Sequence, residues 1–98
     1  MAQCDVYTLD TSEVVLDIQT DLLGHFDSRI VVPLMALEIA PVAHPRLNPT
    51  FQIDGQSYVM ATQFAVAVKT SSLSRPIANL VHRYDAIRAA LDMIFLGF

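Results

Sequence analysis

From Ile77 to Phe98 the large apolar residues fall at spacings of three and four: Ile77, Leu80, Tyr84, Ile87, Leu91, Ile94 or Phe95, and Phe98. That spacing draws one stripe along an amphipathic helix, and nothing upstream repeats with that period. The spacing therefore predicts a single helix closing the chain. Two candidate caps compete for its start, Ser74 before Pro76 and Asn79. In the middle of the chain the three prolines from Pro41 to Pro49 bar a helix altogether.

Upstream the readable period is two. In "EVVLDIQT", Leu16 and Ile18 alternate with Asp17 and Gln19, the pattern of a half-buried strand. "QCDVYTL" and "SRIVVPL" carry the β-branched and aromatic residues of strands, and Pro33 puts the far end of the second at an edge or a bulge. "DLLGHFDS" between strands reads as a loop. In "TFQIDGQSYVM", Phe51 and Ile53 alternate with polar residues, and Asp54-Gly55 tolerates the positive φ of a type I′ turn. Tyr58 and Met60 continue on the return. "QFAVAVK" is a further strand, with Phe64, Val66 and Val68 on one face and alanines on the other, while "EIAPVAHPRLNP" is a long connection with at most a short turn at its start. Strands followed by one helix predict a single domain over residues 1–98, mainly antiparallel β, with a helix closing a small barrel or sheet.

The chain is 53% hydrophobic and 16% charged, so it is a folding sequence with little charge to cover its surface. Part of that apolar surface is expected to be buried in a homodimer. A net charge of −4 with six Lys plus Arg argues against a protein that tracks phosphates on its own. The single cysteine, Cys4, permits no internal disulfide and suits a cytosolic chain. No signal-like segment opens the sequence and no apolar run approaches about 18 residues, so a soluble cytoplasmic protein with no membrane partner is expected.

Catalytic chemistry finds little footing. His25, His44 and His82 share no metal-ligand spacing, so no metal or cofactor is expected. Cys4 could pair with a histidine as a nucleophile, but a lone cysteine in a strand is more often a small core residue. Asp17 and Asp21 read as ordinary acids of a strand and its turn. The terminal helix is more informative. At 100° per residue, Met93 and Leu96 fall opposite the apolar stripe, where polar residues belong. They point to a dimer interface wrapped around the helix or to a docking tip for another protein, with Gly97 allowing close approach.

"VYT" at Val6 to Thr8, "DIQTDLL" at Asp17 to Leu23, "SRIVVPL", "LNPTFQI", "LVHR" at Leu80 to Arg83 and the closing "IRAALDMIFLGF" occur in an order and at intervals that resemble the CcdB family, the toxin of the ccd toxin–antitoxin system. The resemblance spans almost the whole chain and is weakest from Val68 to Pro76. It implies an SH3-like barrel of the CcdB/MazF/Kid type, a homodimer with its two C-terminal helices side by side, and no enzymatic activity. It further implies that the dimer binds the DNA gyrase A subunit and traps gyrase on cleaved DNA, and that a CcdA-like antitoxin with a disordered C-terminal segment neutralises it. On this resemblance the gyrase-contacting residues are Leu22, Leu23, Asp92, Leu96, Gly97 and Phe98. The helix stripe Ile87, Leu91, Ile94 and Phe95 is the expected dimer interface.

Leu96 stands where the best-studied form of the family has a tryptophan that stacks on a gyrase arginine. Leucine keeps apolar contact but loses a cation–π attraction of about 0.5–2 kcal/mol. Asp92 replaces an uncharged amide. Two alternatives therefore stand beside the gyrase poison: a MazF-like endoribonuclease, and a binding module that keeps the fold but has lost gyrase poisoning.

Overall fold

The computed structural model describes residues 2–40 and 44–97. Among these residues seven strands and one α-helix follow in order: β1 (Asp5–Thr8), β2 (Val14–Asp17), β3 (Ser28–Ala36), β4 (Thr50–Ile53), β5 (Gln56–Met60), β6 (Val66–Lys69), β7 (Ala78–Asn79) and α1 (Tyr84–Leu96). All pairings are antiparallel, in the order β4-β5-β3-β2-β1-β7, with β6 beside β3. The nearly closed sheet and its single terminal helix form an SH3-like barrel.

The long strand β3 joins the two halves of the barrel. One edge pairs with β2, while the other pairs with β6 over Ser28–Val31 and with β5 over Leu34–Ala36. Pro33 lies where the partner changes, so its missing N–H falls at a break in the ladder. Its carbonyl accepts from Ala61 N–H at 2.9 Å. The β4–β5 hairpin turns at Asp54 and Gly55, with φ of 51° and 80°, the type I′ geometry that Asp-Gly favours.

β2 is buried on both faces, not on one. Val6, Leu16, Val32 and Phe51 pack beneath Ile87 and Ala90 of α1, while Tyr7, Val15 and Val31 on the opposite face are covered by Leu73. Asp17 and Gln19, expected to face solvent, are buried as well. β6 begins only at Val66; Phe64 lies in a 3-10 turn, Thr62–Phe64, that packs on α1. Asp21–Leu23 within the expected loop forms another such turn.

The helix is shorter than the apolar spacing suggests. Ile77 N–H donates to Val6 C=O at 2.7 Å and Leu80 N–H to Cys4 C=O at 2.8 Å, so this stretch runs as a strand beside β1. Neither Ser74 nor Asn79 caps α1, which starts at Tyr84 after Arg83 with no side-chain cap; Asn79 Oδ1 instead accepts from Val81 N–H at 2.8 Å, at the start of the 3-10 turn that leads into the helix. Asn79 Nδ2 also donates to Asp5 Oδ1 at 2.8 Å, pinning the helix approach to β1.

Candidate functional site

The polar residues of "DIQTD" form one network. The register that pairs Asp17 with Val31 sets Arg29 diagonal to Asp17 on the same face of the sheet. Arg29 Nε donates to Asp17 Oδ2 at 2.9 Å, and Arg29 Nη2 lies 2.8 Å from the same oxygen. Asp17 Oδ1 accepts from the Gln19 N–H at 3.1 Å. Burial holds the Asp17 carboxyl above its ordinary value, an effect that the Arg29 guanidinium and Gln19 N–H only partly offset. Arg29 Nη2 further donates to Gln19 C=O at 3.3 Å and lies 3.8 Å from Asp21 Oδ1.

This network borders the turn that carries two of the expected partner-binding residues. Thr20 caps the turn through its Oγ1, which accepts from Leu22 N–H at 3.4 Å. Asp21 Oδ1 accepts from Gln3 N–H at 2.7 Å. Leu22 is 86% exposed and Leu23 is also exposed.

The other expected residues lie at the end of α1. Leu96 is its last residue and 65% exposed. Asp92, one turn earlier on the same face, lies 3.8 Å from Arg88 on an exposed part of the helix. Gly97 closes the helix at φ 77°, in the left-handed region, and donates its N–H to Met93 C=O at 3.2 Å. It is thus a helix cap as well as a point of open approach: a Cβ built there meets nothing within 4 Å. Phe98 lies outside the described residues. Leu96, Gly97 and Asp92 share one helix end, whereas no substantial packing joins the Leu22–Leu23 turn to α1 among the described residues.

The apolar stripe of α1 divides. Ile87 is 2% exposed and belongs to the core of its own chain, together with Ala90. Leu91 is half-buried, Ile94 is exposed and Phe95 is 67% exposed. Met93, read from the sequence as surplus, is half-buried. The buried face is rotated toward Ile87 and Ala90 because the barrel meets the helix over that small alanine, which leaves Phe95 facing outward. Phe64 and Val66 are also exposed, and the Thr62–Phe64 turn that carries Phe64 packs on α1.

Cys4 is buried, and its thiol is pushed up first by burial and then by Asp17, Asp21 and Asp5, opposite to what a nucleophile needs. The three histidines are exposed, and no group of three potential metal ligands gathers among the described residues. A cleft of about 540 Å³ between the β1–β2 connection and the end of β3 is lined by Glu13, Val14, Pro33, Met35, Tyr58 and Phe64 among others. It contains none of the expected partner-binding residues.

The family model for CcdB protein matches residues 3–97. The chain belongs to the CcdB family. CcdB is the toxin of a toxin–antitoxin system, and nothing in the family's action calls for a catalytic centre in the toxin itself. Arg29 of this CcdB chain carries no conspicuous motif in the sequence. Its signal was one of parity: Arg29 shares a sheet face with Val31, while Ile30 between them points outward. Among the described residues no helix is long and apolar enough to cross a membrane.

Proposed function

We propose that this chain is a homodimeric toxin that binds the DNA gyrase A subunit, traps the cleaved-DNA complex, and is neutralised in the cytoplasm by a CcdA-like antitoxin. The observation that carries this reading is the display of large apolar residues at family contact positions: Leu22 and Leu96 are largely exposed, one on a 3-10 turn and the other at the end of α1. Such residues weaken solubility and are retained where a partner covers them. The exposed Phe95, Ile94, Phe64 and Val66 support a second copy packing against α1 and the adjoining turn. Ile87 supports the fold of each protomer instead. In the dimer two helix ends would stand together as one docking tip.

The test is supercoiling by purified gyrase with increasing toxin, followed by protein denaturation. Linear DNA marks trapped cleavage. Intact supercoiling at high toxin concentration, with unchanged DNA, rejects the gyrase assignment. Incubation with single-stranded RNA in parallel settles the endoribonuclease alternative by the appearance of cleavage products.

A further inference from the structure

The Asp21–Leu23 turn is built inside out. It buries none of its own residues, so apolar packing of the turn does not fix its position. Polar contacts do, and one side chain makes the decisive pair. Gln19 Nε2 donates to Leu23 C=O at 3.1 Å, and Gln19 Oε1 accepts from Ile30 N–H at 3.1 Å. The orientation of this amide is fixed by its partners, because a carbonyl needs a donor and an N–H needs an acceptor. One buried amide therefore ties the turn to β3. The backbone of Gln19 is itself held at both ends, by Asp17 Oδ1 on its N–H and by Arg29 on its C=O.

We propose that Gln19 is a positioning residue: its side-chain amide clamps the Leu23 carbonyl to β3 and so holds the exposed Leu22–Leu23 pair in the pose that meets the protein partner. The role rests on the gyrase reading only in naming that partner. Leu22 supplies the contact surface, and Gln19 supplies its position without reaching the surface itself. A turn left to wander would have to become ordered on binding, and that entropy cost would come out of the affinity.

Gln19→Glu separates the two bonds. The carboxylate still accepts from Ile30 N–H but repels Leu23 C=O. Amide hydrogen exchange reads the clamp without any partner. The expected result is exchange about tenfold faster at Leu23, Gly24 and Phe26, the scale of one lost hydrogen bond, with Val15 and Val32 still protected. Unchanged exchange in the turn overturns the proposal, as does loss of protection throughout the molecule. Calorimetry with purified gyrase A subunit then reads the consequence. Gln19→Glu should weaken binding about five- to tenfold in the wild-type background and produce no further loss in Leu22→Ala. Equal losses in both backgrounds overturn the positioning role. If the turn loosens but the wild-type protein ignores gyrase, the clamp stands and the partner assignment falls.

Discussion

Arg29 reaches the carboxylate of Asp17 across two strands, 2.8 Å from Oδ2, and neither side chain touches solvent. The pair lies on the sheet face of Tyr7, Val15 and Val31. Removing one partner leaves a buried charge alone. Arg29→Met should cost about 3–5 kcal/mol in urea denaturation, whereas Arg29→Met combined with Asp17→Leu should regain most of it. A double variant no more stable than the single one would show that the network, not the isolated charge, sets the loss.

Leu96 has solvent around it and no role in the core. Leu96→Ala should change stability by no more than about 0.5 kcal/mol while weakening gyrase binding. Leu96→Trp should strengthen binding by about 0.5–2 kcal/mol where the gyrase offers an arginine to the indole face. Calorimetry with purified gyrase A subunit measures both. Tighter binding by the alanine variant would remove Leu96 from the contact.

The apolar surface of α1 is expected to close a dimer. Light scattering at micromolar concentration should report twice the 10.8 kDa chain mass. Phe95→Glu should return the protein to monomer with little change in monomer folding, because Phe95 is exposed within its own chain. A wild-type monomer under these conditions would remove the paired helix tips as well.

Tyr7 ties stability to alkaline pH. Burial and the nearby Asp5 and Asp17 push its phenol up to about 12, and its hydroxyl donates to Asp5 Oδ2 at 3.3 Å. The folded protein holds the proton more tightly than the unfolded chain. The resulting stability is complete below pH 10, the ordinary value, and is lost as pH rises through about 12. Over that window the loss is roughly 2–3 kcal/mol. Urea denaturation between pH 9 and 12 should show a shallower decline in Tyr7→Phe than in wild type. Parallel declines would exclude Tyr7 as the titrating group.

What was legible in the sequence was what its neighbours in sequence determine. Asp54-Gly55 specifies its turn by local φ preference, and Pro33 marks the break in β3 by a missing donor. The burial of Asp17 was not legible, because its partner lies 12 residues away and alternation assigned it to solvent. Ile77 and Leu80 have helical spacing by coincidence; hydrogen bonds to β1, near the other end of the chain, hold them as a strand. At the site, the resemblance named Leu22 and Leu96, and the geometry adds that both are displayed. The Gln19 clamp was hidden because an amide in a strand gives no hint of which backbone it will meet.

The barrel closes between β1 and β7, where Asp5 and Asn79 are joined across 74 residues of chain. Contacts of that separation carry a large loop-closure cost and are slow to form. A nascent chain on the ribosome can zip the β4–β5 hairpin early, but it lacks the last ladder until Asn79 has emerged. Only then can α1 settle on the barrel and set Leu96 in place. Translation thus delivers the two displayed leucines at different times: the Leu22 turn is held by residues 3–30 and can form early, while Leu96 is set only after the last ladder closes.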